Sequence, residues 1–194
     1  MLETITITLS LIFFISTLAL LLQNQRHKAT IQQLTTLDDI TGLKNTHTCF
    51  NQLETLFLTA KRYHQPLTLA LVQFNGLNDA ETKLGREPVS QFLKQVASEL
   101  NQQLRTTDLL GRIHFDVFLV ALTYTNTHDS RAVFERIHQA LKQYQLEGAT
   151  VKIALGVTHL HLDTENFTQF MQQAKSALDE ANRQEGTGIH YIGH

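Results

Sequence analysis

The longest apolar run of the chain stands at its start. From Thr4 to Gln25 no residue is charged, and the run from Ile5 to Leu22 reads ITITLSLIFFISTLALLL. About 20 helical residues, at about 1.5 Å each, cross a hydrocarbon core of roughly 30 Å. The hydroxyls of Thr6, Thr8, Ser10, Ser16 and Thr17 can bond back to carbonyls one turn earlier, so they do not forbid a span. A cleaved leader needs a basic start and a small-residue cleavage site. Only Glu3 is charged before the run, and Gln-Asn-Gln-Arg-His-Lys follows it. The pattern predicts one transmembrane helix over 4–25. Arg26 and Lys28 behind it and Glu3 ahead predict an N-terminus outside and the rest of the chain in the cytoplasm, at the inner membrane. Residues 26–37 are polar with spaced Ile31 and Leu34, and predict a juxtamembrane linker helix.

Beyond the linker the periodicity changes. Apolar residues at helical spacing mark four helices. The first carries Phe50, Leu53, Leu56, Phe57 and Ala60; the second, after Pro88, carries Val89, Phe92, Leu93, Val96, Ala97 and Leu100. The third carries Ala132, Val133, Ile137, Ala140 and Leu141; the last runs from Phe167 through Phe170, Ala174, Ala177 and Leu178 to Ala181. Between them lie shorter runs that read as strands. Leu67–Phe74 is nearly continuous apolar, as a strand buried on both faces should be. Leu109–His114 and Val117–Thr123 stand back to back, and Val151–Thr158 and Ile189–Ile192 follow. The order α, β, α, β-hairpin, α, β, α, β predicts an α/β (α+β) domain over 38–192. One sheet of about five strands with helices packed on it satisfies that order.

Composition adds two exclusions. A net charge of −2 gives no electrostatic case for a nucleic-acid partner. A single cysteine, Cys49, cannot close an internal disulfide and suits a reducing compartment. The ten histidines are scattered and read as surface polar residues. His159-Leu160-His161 places two imidazoles on one face of an extended segment. With no cysteine or carboxylate cluster beside them, they read as an exposed strand end rather than a metal site. Tyr124–His128 reads as a loop, with a helix cap near Asp129.

Just before the first helix stands Asp38-Asp39-Ile40-Thr41-Gly42-Leu43-Lys44-Asn45. Gly42 suits a turn and Asn45 can cap the helix that follows. The string also resembles the D-x-L-T-G-L-x-N signature of GGDEF domains, the diguanylate cyclase family. The likeness continues in order and spacing through Pro66-Leu67, Val96-Ala97-x-x-Leu100, Arg105-x-x-Asp108-x-x-x-Arg112 and Ala174-x-x-Ala177-Leu178-x-x-Ala181. It implies a palm-like sheet and a family chemistry in which two GTP molecules are joined into cyclic di-GMP. Such phosphoryl transfer needs metal ions between carboxylates and cations on the phosphates.

The residues at those positions depart from the family pattern. The name-giving turn falls at His114-Phe115-Asp116-Val117-Phe118, where two glycines and a glutamate are replaced and only Asp116 matches a metal carboxylate. Gln73 stands at the other metal position, in Gln73-Phe74-Asn75-Gly76-Leu77-Asn78 against the family's D-x-D-x-F-K. Asn78 and Asn182 replace phosphate-facing lysines, Asp179 replaces a tyrosine, Glu81 and Ser90 align with guanine-reading residues, and Gly186 arrives one residue late. The expectation is a domain that is not an enzyme, with no catalytic residues, no metal beyond the Asp116 remnant, and no cofactor; Mg²⁺ would enter only with activity. The resemblance also implies an inhibitory-type site for cyclic di-GMP at Arg105, Asp108 and Arg136, where guanidinium groups can fork onto a phosphate or a guanine edge. Arg105 and Asp108 could equally serve only to end a helix and start a strand. Three roles stay open: a cyclic di-GMP receptor; a nucleotide-independent module that docks a protein partner or forms a homodimer; and, last in order, an active diguanylate cyclase with unusual ligands.

Overall fold

Strand β1, Leu67–Asn75, is paired on both sides and buried on both faces over most of its length, which is why its sequence is mostly apolar. Leu67, Leu69 and Leu71 pack into one core; Ala70, Val72 and Phe74 pack into another. The computed structural model describes residues 35–184 and 188–192, together with Thr17. The expected membrane span over 4–25 (apart from Thr17), the expected linker helix as far as residue 34, and Gly186 lie outside them. The chain divides into two units, Met1–Thr36 and Leu37–His194, and the fold is that of the second. Among the described residues no helix is long and apolar enough to cross a membrane.

The elements in order are α1 Thr46–Tyr63, β1, α2 Leu77–Leu84, α3 Arg86–Gln103, β2 Leu109–Arg112, β3 Val117–Thr123, α4 Thr127–Leu141, β4 Lys152–His159, α5 Phe167–Arg183 and β5 Gly188–Ile192. The five strands form one sheet in the order β2-β3-β1-β4-β5. β1 runs antiparallel to β3 and β4, and β5 runs parallel to β4. Helices α1 and α5 pack on one face around Phe57 and Phe170; α2, α3 and α4 cover the other around Phe74, Phe92, Phe118 and Phe134. The α/β (α+β) sheet with packed helices expected from the pattern is the observed one.

Local signals behave as their chemistry dictates. Gly42 takes φ +69°, and the Asn45 side chain accepts from the Thr48 N–H at 3.0 Å, a cap worth about 1 kcal/mol. The helix at Thr127 is capped by Asn126, whose side chain accepts from Asp129 N–H at 2.9 Å; Asp129 itself lies inside the first turn.

Three expectations need correction. A short helix, α2, follows β1 and is bracketed by Gly76 at φ +96° and Gly85 at φ +85°. The buried stripe of α4 is Ser130, Phe134, Ile137, His138 and Leu141, with Ala132 in solvent; the helix starts earlier than its apolar residues suggest. The histidines are not all at the surface. His138 is buried, and burial holds its pKa below the ordinary imidazole value with Lys142 adding to the effect. His159 is buried too, 2.8 Å from Ser130 Oγ on α4, while His161 turns toward α1. The strand ends at His159, so the two imidazoles part instead of sharing a face.

Candidate functional site

The β2–β3 turn meets the C-terminal end of β1. Ile113 N–H and His114 N–H both donate to the Val117 carbonyl, and Phe74 N–H donates to the Asp116 carbonyl at 2.9 Å. This register sets Gln73 opposite Val117 and brings its side chain to Asp116. Gln73 Nε2 donates to Asp116 Oδ2 at 2.8 Å. Asn182 Nδ2, on α5, donates to Gln73 Oε1 at 2.8 Å, and Asn75 Nδ2 donates to Asn182 Oδ1 at 2.8 Å. His114 Nδ1 lies 2.7 Å from Asp116 Oδ1. The result is a ladder, Asn75–Asn182–Gln73–Asp116–His114, running from β1 through α5 to the turn. Each amide carbonyl in its middle is matched by an amide N–H, and both Asp116 oxygens are engaged. Asn75 has no assigned role in the sequence reading; its place two residues beyond Gln73, hence on the same strand face, is the signal that could have found it.

The rest of the turn is held from behind. Arg112 is buried and donates from Nε and Nη2 to the Phe115 carbonyl at 3.2 and 2.7 Å. Its Nη1 lies 3.1 Å from Asp38 Oδ1, and its guanidinium stands 5.7 Å from the Phe115 ring centre. Asp38 also accepts from Thr41 through both the backbone N–H and the hydroxyl. Burial alone would raise the Asp38 pKa; the Thr41 hydrogen bonds and Arg112 outweigh it and hold the carboxyl below its ordinary range. Phe118, next along β3, is a core residue, packed edge-on against Phe74 with ring centres 5.7 Å apart. Val117 is buried on the opposite face. Asn78 and Asp179 are exposed, and Glu81 and Ser90 are half-buried on α2 and α3.

At the other end of the sheet lie Arg105 and Asp108. Asp108 accepts from Arg105 N–H at 3.0 Å and from Thr123 N–H at 3.1 Å, so its carboxylate closes the turn between α3 and β2. Arg105 is exposed. Arg136, on α4, donates to the Gln103 side chain at 2.7 Å and to the Gln103 carbonyl at 3.0 Å, which brings it to the C-terminal end of α3, two residues before Arg105. Glu99 extends this contact, accepting from Gln103 at 2.6 Å and from the Tyr144 hydroxyl at 2.8 Å. Among the described residues no group of three or more histidine, cysteine or carboxylate side chains is arranged to hold a metal ion. Cys49 is buried, and burial pushes its thiol up to about 12, so it is no nucleophile.

Fold and site together define a palm-like α+β domain, with a β-hairpin turn set against the end of the central strand. The chain belongs to the GGDEF domains of cyclic di-GMP signalling: the family described as Diguanylate cyclase, GGDEF domain, matches residues 35–187. It is similar to the probable diguanylate cyclase DgcC of Escherichia coli (strain K12), 23% identical over 160 residues that cover 81% of this chain and 43% of that one. It is also similar to the cyclic di-GMP phosphodiesterase NbdA of Pseudomonas aeruginosa, 29% identical over 170 residues, 84% of this chain and 21% of that one. The chain thus spans less than half the length of these curated relatives. In fold it matches the GGDEF domain of DgcB from Caulobacter crescentus, solved in complex with cyclic di-GMP, with a TM-score of 0.74 and 16% identity over 80% of this chain and 92% of that one.

Proposed function

We propose that this is a non-catalytic GGDEF module, anchored at the inner face of a membrane through residues 4–25, that regulates cyclic di-GMP signalling by reading the dinucleotide at Arg105-x-x-Asp108. The observation that carries the first part is the ladder. Phosphoryl transfer of the family type needs Mg²⁺ between carboxylates and cationic groups on the phosphates. At these positions stand one carboxylate, Asp116, already bonded through both oxygens, and neutral amides at Gln73 and Asn182 that bond each other. Mg²⁺ prefers carboxylate and phosphate oxygens, and a single aspartate leaves divalent ions and a triphosphate without charge compensation. The residues present therefore do not fit the metal, and no catalytic step is routed through it.

The receptor role rests on the exposed Arg105 and on Arg136, held at the same end of α3 by Gln103. A guanidinium there can fork onto a phosphate or a guanine edge. The competing role, docking without nucleotide, is favoured by one observation: Asp108 already spends both oxygens on backbone N–H groups. Calorimetric titration of the full chain in detergent micelles with cyclic di-GMP separates the two. Saturable heat is expected, weakened at least about tenfold by Arg105→Ala, the loss of roughly one charge-assisted hydrogen bond. No heat at high-micromolar ligand would sink the receptor role and leave the docking role standing.

A further inference from the structure

Where α1 ends, the surface carries both a socket and a knob. The socket is a cavity of about 350 Å³, apolar at Ala60, Pro66 and Leu160 and polar at His64, Gln65 and His161. On its edge stands Leu162, 87% exposed, at the tip of the β4–α5 connection. Tyr63, the last residue of α1, is also more than half exposed, at 58%. Large apolar side chains in solvent at one pole mark an interaction surface rather than a monomer's finished exterior. The knob is held in place: Lys61 Nζ donates to the Thr164 and Glu165 carbonyls, each at 2.6 Å, so the loop bearing Leu162 is tied to the last turn of α1.

Charge decides what the surface takes. The lip that bears the knob is acidic, with Asp163 and Glu165 exposed. The lip on α1 is basic through Arg62, exposed and 5.4 Å from the ring centre of its neighbour Tyr63, while the Lys61 ammonium is engaged by the opposite lip. Arg62, Asp163 and Glu165 take part in no ion pair among the described residues. A face with a knob, a socket, one acidic lip and one basic lip is complementary to itself under a two-fold axis, where each residue i that meets j is repaid by j meeting i.

We infer that two copies of this chain associate through this pole, Leu162 of each entering the socket of the other and Asp163 of each facing Arg62 of the other. β1 runs nine residues from Leu67 beside the socket to Asn75 in the amide ladder, so the contact lies roughly 25–30 Å from the hairpin turn and leaves it uncovered. The inference does not depend on whether the turn is catalytic or on whether cyclic di-GMP binds.

Sedimentation equilibrium of the full chain in detergent micelles, over a concentration series, tests it. A reversible monomer–dimer equilibrium is expected. Leu162→Asp, Arg62→Glu and Asp163→Arg should each weaken it about tenfold or more, as loss of a central anchor or of a facing charge does. The combined Arg62→Glu/Asp163→Arg chain should recover to within about threefold of the parent, because the exchanged charges face each other again. A chain that stays monomeric throughout, single variants that associate as tightly as the parent, or a double variant no tighter than the singles would each overturn it.

Discussion

Gly156→Ala is expected to destabilise the domain by about 3 kcal/mol or more, the upper end of what overpacking costs. Gly156 sits in the middle of β4, opposite Leu71 of β1 and beside His190 of β5. Its bare Cα faces α5. A Cβ there would lie inside the van der Waals envelope of the Leu178 backbone nitrogen and Cα, and 2.7 Å from the Ala177 carbonyl carbon. These are backbone atoms of a helix, so no rotamer change relieves the contact. The whole of α5 must lift, loosening Phe170, Ala174 and Ala181 from the sheet. The alanines of that face are small for the same reason: they let helix and strand approach. For a domain of this size about 3 kcal/mol corresponds to a fall in Tm of roughly 6–12 °C. Thermal and urea unfolding read it directly, and a loss under about 1 kcal/mol would mean that α5 does not sit as close to β4 as described.

Arg112→Met is expected to cost about 3 kcal/mol, the low end of the range for removing one partner of a buried pair, because Arg112 is buried and Asp38 only half-buried. The variant leaves the Asp38 carboxylate without its guanidinium and the Phe115 carbonyl without two donors. The loss should depend on pH. The folded-state pKa of Asp38 is depressed, so its contribution is fully present above about pH 4, the unfolded value, and disappears as pH falls through the folded value. In Arg112→Met the depression shrinks, because only the Thr41 hydrogen bonds remain to oppose burial. Stabilities at pH 7 should therefore differ by the full amount, and the gap should narrow as pH falls below about 4, down to the part that comes from the Phe115 carbonyl. Parallel curves would show that Arg112 acts through the Phe115 carbonyl and packing, and not through the Asp38 charge. The pair matters to the site because it ties the turn before α1 to the hairpin turn that carries Asp116.

What the sequence reveals follows from which forces leave a mark on it. β1 is legible because burial on both faces favours a nearly continuous apolar run, and Leu67–Phe74, interrupted only at Thr68 and Gln73, is one. α5 is legible because its stripe continues over four turns. α2 has only Leu77 and Ala80 buried in eight residues, too few for a period to emerge. Its surer signals are the glycines at each end, which supply backbone angles that other residues resist. His159 reads as an exposed strand end because its burial depends on Ser130 of α4, a partner 29 positions away. The substitutions at Gln73 and Asn182 and the retained Asp116 are visible one by one, but their mutual hydrogen bonds, and the entry of Asn75 into the set, need three elements brought together. The D-x-L-T-G-L-x-N resemblance points to the family that the match over 35–187 then establishes. It does not by itself weigh one carboxylate against the demands of the reaction.

That balance is the central claim, and product formation tests it most directly. The full chain in detergent micelles is incubated with GTP and Mg²⁺, and the mixture is analysed for cyclic di-GMP against a blank without protein. The account predicts no product above the blank, since Asp116 alone cannot hold the metal against the Gln73 and Asn182 amides. Cyclic di-GMP accumulating in proportion to the amount of protein would contradict it.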